Sequence, residues 1–316
     1  MTAESVGRAL AAAEAWLADR DAPSAVIAVA ESGSDDRRAD ARRWIRRLID
    51  EQEPDGSWGG DLLRTAETML TIQELRSAAG VVERDPELGR ALDWIRARRG
   101  VTGAWTDGCS PERHDRGLCH HFTGGFFSPG PPEVPFAGAA LRCGGRTIGD
   151  LEVRFVASAI ALRCLLTWEP MRADARLHLE GLRRAVSGWD DFVPEGLTNT
   201  ALLAAVHGLA LSDAAEDWRA AAKGVRMIAG RQRGDGSWVD TDAFQALEVF
   251  GTAADADVAA DRTRRGLWHG ARLLISSQQD DGSWGPEHGE RRALIACRTF
   301  RRVDPNAGLD PAAGTP

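Results

Sequence analysis

Tyrosine is absent from the 316 residues, and Lys223 is the sole lysine. Positive charge therefore rests almost wholly on arginine, whose planar guanidinium suits paired and oxyanion-facing positions. The formal net charge is −8 and no basic cluster is interleaved with aromatics, which argues against a nucleic-acid partner. Cysteines number only five, an odd count and too few for a disulfide framework in a chain this long. No apolar run reaches the length of a membrane span. The N-terminal stretch Met1 to Leu17 is broken by Glu4, Arg8 and Glu14, so it lacks the apolar core of a signal peptide. These absences lead to the expectation of a cytoplasmic protein without a transmembrane segment.

What is present is a repeat. Glu51–Gly60 reads EQEPDGSWGG, Arg231–Asp240 reads RQRGDGSWVD and Ser277–Pro286 reads SQQDDGSWGP, with weaker copies at Gly103–Gly108 and Ser187–Phe192. The tryptophans Trp58, Trp105, Trp189, Trp238 and Trp284 are spaced by 47, 84, 49 and 46 residues. A fixed period in this range marks a repeat architecture, and the one long interval marks an insertion. Each turn follows an arginine-rich stretch with apolar residues at helical spacing, such as Trp44, Ile45, Leu48 and Ile49. Each precedes a stretch rich in Ala and Leu that is apolar nearly all round. Amphipathic helices outside and apolar helices inside satisfy both patterns.

A further pair, Ser5 to Ala18 and Ser24 to Ala30, brings the hairpins to six. With no polar capping repeat in view, closure into a ring buries every apolar face better than an open solenoid does. The expected fold is all-α, an (α/α)6 toroid over residues 1–302 with a loop insertion at 108–149 and a disordered tail at 303–316. In the turn itself, Asp-Gly makes the reversal, Ser is expected to cap the next helix, and Gln to bond the neighbouring repeat's backbone. Trp buries a broad face between hairpins. These are structural roles.

The Gln-x-x-Asp-Gly-Ser-Trp turns resemble the QW motifs of squalene–hopene cyclases and related class II terpene cyclases, and a similar toroid occurs in protein prenyltransferase β-subunits. The resemblance extends over Ser5 to Arg302. Family members with two such domains cyclise triterpenes; this sequence holds one, which implies a single lumen, a partner chain, or a smaller isoprenoid substrate. The family's proton donor is an aspartic acid in an Asp-x-Asp-Asp-Thr motif. The nearest match is Asp240-Thr241-Asp242-Ala243, which lacks the last acid. One register makes Asp242 the donor. Another, aligning Ser24, Thr65, Ser158, Thr200, Asp242 and Arg292 at inner-helix starts, makes it Asp240. The competing reading is that both are favourable charges at a helix N-terminus, with Asp242 paired to Arg292.

Arg64, Arg154, Arg291 and Arg292 also fall near inner-helix starts, where converging helix N-termini suit a diphosphate, with Mg²⁺ as its companion. Against this stands pairing with Asp61, Asp150 or Glu287. Aromatics that would face a carbocation are few in the inner stretches: Phe155, Trp168, Phe244, Phe250 and Phe300. Phe244 is the one nearest the candidate acids.

The insertion Gly108–Gly149 is rich in Gly and Pro and reads as a loop, placed to act as a lid over the inner-helix N-termini. It carries Cys109, His114, Cys119, His120 and His121 within 13 residues, with Cys143 further on. Thiolates and imidazoles suit Zn²⁺, although this spacing is no standard structural-zinc pattern; reduced, partly buried cysteines are the alternative. Three functions follow: an isoprenoid-handling enzyme using Asp240 or Asp242, a zinc-dependent prenyltransferase-like enzyme using the Cys/His loop, and a non-catalytic lipid- or peptide-binding toroid.

Overall fold

The computed structural model describes residues 1–82, 85–98, 136–169, 173–189 and 193–303. Among these are twelve helices and no strand beyond two isolated bridges. Six pairs follow in chain order: α1 Ala3–Ala18 with α2 Pro23–Glu31, α3 Asp35–Asp50 with α4 Leu62–Ala79, and α5 Pro86–Ala97 with α6 Gly149–Trp168. Then come α7 Ala173–Gly188 with α8 Asn199–Leu209, α9 Ala215–Ala229 with α10 Ala243–Asp255, and α11 Ala260–Ser277 with α12 Gly289–Arg302.

The even-numbered helices touch in sequence, α2 to α4, α6, α8, α10 and α12, and α12 returns to α2. That closed inner ring, wrapped by the odd-numbered helices, is the (α/α)6 toroid. Composition explains the layering. All eleven residues of α8 are buried, whereas α3 buries only Ala41, Trp44 and Ile45 among its described core contacts. No described helix is long and apolar enough to cross a membrane.

The turns hold the ring by three recurring contacts. Gln52 Nε2 donates to Gly56 O at 2.9 Å within its own turn and to Glu87 O at 3.1 Å on α5. Gln232 Nε2 does the same to Gly236 O and Gly266 O. Gln278 Nε2 reaches Gly282 O and Ala9 O, both at 3.0 Å, and so ties the last hairpin to the first helix. The turn glycines Gly56, Gly236 and Gly282 have φ of 97°, 94° and 90°. A Cβ there would also stand 2.6, 2.1 and 2.3 Å from a carbonyl oxygen of the adjoining outer helix, so glycine is required by conformation and by space.

The serine works differently from the sequence expectation. The backbone N–H groups of Ser57 and Ser283 donate to Asp55 and Asp281 within the turn, while the Ser57 hydroxyl donates to Asp55 and the Ser283 hydroxyl to Gln279. Two or more residues separate each from the next helix, and Asp61, not Ser57, caps α4 by accepting from Arg64 N at 2.6 Å. Trp58 and Trp284 are buried and donate Nε1 to Leu48 O and Leu274 O.

Candidate functional site

The inner-helix aromatics do not face the lumen. Phe155 packs on Trp189, Phe250 on Trp238, and Phe244 and Phe300 on Trp284, with ring centroids 5.7–6.3 Å apart. They fill the layer between the rings, where large apolar area is best buried. The lumen receives charges instead. Burial obliges each of them to find a partner.

A belt of ion pairs crosses the lumen at mid-height. Glu74 on α4 and Glu248 on α10 project from helices on opposite sides of the ring. Arg291 of α12 joins them, at 2.7 Å to Glu74 and 2.6 Å to Glu248. Arg142 also reaches both, at 3.1 and 3.2 Å, and donates to Thr71. Arg163 of α6 lies 3.2 Å from Glu248. Burial alone would raise both acids, but the surrounding guanidinium groups hold Glu74 and Glu248 well below the usual carboxylate range. His207 of α8 is held well below its ordinary value by burial and by Arg163, so it is neutral beside Thr252 Oγ1 at 2.8 Å.

Arg142 belongs to none of the helices. It sits at the tip of a tight hairpin in the described end of the insertion. Leu141 N donates to Gly145 O, Gly144 N to Leu141 O, and Ala140 bridges Arg146. The hairpin rests on the inner-helix N-termini: Thr200 Oγ1 donates to Arg146 O, and Gly145 packs so close to Gln245 that a Cβ would stand 2.6 Å from its Oε1. The described end of the loop expected over this mouth is therefore a plug within it. Glu67 accepts from Arg142 N at 3.1 Å, and burial raises its carboxyl above the ordinary value. Cys143 is buried, its thiol pushed up to about 12 by burial, so it is not poised as a thiolate ligand.

Two larger spaces are lined by described residues. A cavity of about 560 Å³ opens at the C-terminal ends of the inner helices and is lined by inner-helix residues alone, no aromatic among them. Below the belt its wall continues the ion pairing: Arg298 with Glu74 and Glu31, Arg301 with Glu31 and Glu14, Arg302 with Asp255. A second cavity, of about 470 Å³, lies beside the plug between α2, α3, α4 and Ala139–Arg142.

The sequence-predicted residues fall in several places. Asp242 is the N-cap of α10, accepting from Gln245 N at 2.9 Å, and lies 3.5 Å from Arg292. Arg292 in turn stands over the Phe244 ring at 5.1 Å. These three form one group at the N-terminal mouth, and Asp242 lines neither large cavity. Asp240 is exposed, in a left-handed turn residue with φ 50°. Arg64 is exposed and lines the second cavity. Arg154 is buried against Asp150 at 2.9 Å. Arg291 does not stay at the mouth or pair with Glu287; it is buried in the belt, because its position one turn into α12 points it across the ring.

One register assumption fails. Ser158 lies in the middle of α6, which begins at Gly149, so it is not at an inner-helix start like Thr200 or Asp242. Cys109, His114, Cys119, His120 and His121 lie outside the described residues. Among the described residues no group of three or more His, Cys, Asp or Glu is placed to hold a metal. The belt residues Glu74, Arg142, Arg163 and Glu248 were not foreseen. For Arg163 the available signal was a charge embedded in an apolar inner stretch, FVASAIALRCLL.

No family model matches the chain, and no curated protein matches it. Solved structures do share its fold. A variant of the type II terpene cyclase MstE from Scytonema, in complex with geranylgeranyl dihydroxybenzoate, matches with a TM-score of 0.58 at 12% identity, over 94% of this chain and 97% of that one. The same cyclase without ligand gives 0.58 and 12%, over 94% and 98%. A protein from Actinoplanes gives 0.59 and 14%, over 94% and 98%. At such identities the likeness is one of fold.

Proposed function

We propose that this protein is an isoprenoid-handling enzyme of terpene-cyclase type, working with one lumen and with Asp242 as its acid. The observation that carries the reading is the toroid's correspondence, over nearly its whole length, to a type II terpene cyclase that is itself covered almost entirely by this one domain. A single ring of this kind is thus sufficient for a cyclase in that protein. Asp242 is preferred to Asp240 because it stands at the N-terminus of an inner helix with Arg292 and Phe244 beside it, whereas Asp240 is exposed.

In the resting arrangement Asp242 is engaged on one oxygen by the backbone N–H of Gln245 and stands 3.5 Å from Arg292 on the other. An acid role therefore requires a substrate whose anionic head group engages Arg292 and draws it away from Asp242. A diphosphate or carboxylate fits that demand. The plug hairpin must also shift for an isoprenoid chain to enter from this mouth. Incubation with farnesyl and geranylgeranyl diphosphate, with and without Mg²⁺, tests the reading. The expected result is a cyclised or hydrated product that Asp242→Asn abolishes and Asp240→Asn does not. Absence of product from the intact protein, or activity retained in Asp242→Asn, removes it.

A second reading is favoured by one observation: the ionic belt fills the centre of the lumen and, among the described residues, no aromatic ring lines the cavity below it. That suits a toroid which binds a polar ligand without turning it over. Binding without product in the same incubations supports this alternative.

A further inference from the structure

Among the described residues, the belt and the cavity below it hold six guanidinium groups to five ion-paired carboxylates. Arg142, Arg163, Arg291, Arg298, Arg301 and Arg302 share Glu14, Glu31, Glu74, Glu248 and Asp255. The sixth carboxyl nearby, Glu67, is engaged by the backbone of Arg142 and is held toward its neutral form by burial. The imbalance falls on one residue. Arg142, Arg291 and Arg298 each touch two carboxylates, and Arg302 has Asp255 to itself, with two hydrogen bonds of 3.0 and 2.7 Å. Arg163 has only Glu248 Oε1, at 3.2 Å, an oxygen that already takes Arg291 at 2.6 Å and Arg142 at 3.2 Å.

Arg163 also lines the open 560 Å³ cavity, together with Gln73, Ser77 and Thr252, which add neutral hydrogen-bonding groups. Its burial and its like-charged neighbours bring its pKa down to about 10, the opposite of the direction for Arg291 and Arg298. Inner-helix C-termini bring some negative potential to this end, but that field fades within the last turn, and Arg163 lies more than a turn before the end of α6 at Trp168. We propose that this cavity is an oxyanion site, taking a carboxylate or phosphate group on Arg163 from the C-terminal end of the lumen. The site is independent of the Asp242 reading, since it lies at the other mouth.

The test uses the full chain and simple anions at constant ionic strength, set with chloride: inorganic pyrophosphate for phosphate and succinate for carboxylate. Thermal unfolding should show a saturable rise in Tm with at least one of them, and the one with the lower midpoint names the head group. Arg163→Gln should lose the rise, or need at least tenfold more anion, while its anion-free Tm equals or exceeds that of the unaltered protein, because an under-paired buried charge has gone. Ser77→Glu, at an exposed position on the cavity wall, should fold normally and weaken the rise likewise. No rise with either anion, an undiminished rise in Arg163→Gln or Ser77→Glu, or an anion-free Arg163→Gln less stable than the parent would overturn the proposal.

Discussion

The two ends of the lumen are built on opposite plans. At the N-terminal mouth the chain closes its own entrance: a hairpin from the insertion packs backbone to helix start and sends Arg142 down the axis to Glu74 and Glu248. At the C-terminal end no segment among the described residues enters; the inner helices stop around an open, ionic cavity. Asp242 stands at the closed end and lines neither of the two cavities. Position in a fold and access to a ligand are therefore separate questions here. The belt answers for the division, because it spans the lumen from α4 to α10 with buried ion pairs.

The strongest way to break the comparison is to remove the belt. Glu248→Gln keeps shape but leaves Arg142, Arg163 and Arg291 sharing less charge, and breaking a buried network of this kind costs about 3–5 kcal/mol. Urea denaturation at pH 7 measures it. The same carboxylates set an acid limit. Their folded-state pKa values lie below the unfolded ones, so their contribution is fully present above the ordinary carboxylate range and is lost as pH falls through the depressed values. Stability of the parent should fall steeply on acidification from pH 5, and Glu248→Gln should show a shallower slope. Equal slopes would mean that the belt is not ionised as described.

Much of the ring was legible beforehand, for a physical reason. Trp58, Trp238 and Trp284 recur because each hairpin meets its neighbour in the same way, and a repeated contact leaves a repeated signature. The six pairs and the inner–outer order follow from the contrast between α3 and α8. The belt was not legible because it depends on closure. Glu248 and Arg142 are 106 residues apart, and only a finished ring brings α4, α10 and the hairpin tip to one axis. Ser158 was misplaced for a related reason: α6 starts where the hairpin delivers it, at Gly149, several residues before the repeat pattern suggests. Among the candidate site residues, Asp242 and Arg292 were foreseen as a pair and stand 3.5 Å apart, because both lie at starts of adjacent inner helices.

Closure itself offers the next sharpest probe. Gly282 has φ 90°, and a Cβ there would stand 2.3 Å from Ala12 O on α1. Gly282→Ala forces the last turn off the first helix at a cost of about 2–4 kcal/mol. If instead the hairpins stack as an open array, the change should cost only about 1–2 kcal/mol of backbone strain. Thermal unfolding of Gly282→Ala beside Gly56→Ala, whose Cβ would meet Arg90 O, tells whether the seam between chain ends bears as much as an internal joint.

The smallest expected effect concerns the closed mouth and bears on what Asp242 is for. As the N-cap of α10 it accepts from Gln245 N, so Asp242→Ala should cost about 1 kcal/mol. Asp240, exposed at φ 50°, is replaceable by Asn, which tolerates the left-handed region, with a change within about 0.5 kcal/mol. If Asp242→Ala is as silent as Asp240→Asn, the cap contributes nothing and its carboxylate is free for other work. If the cost is near the cap value while any turnover is unchanged, Asp242 is a structural charge, and the closed end of the lumen has no claim to the chemistry.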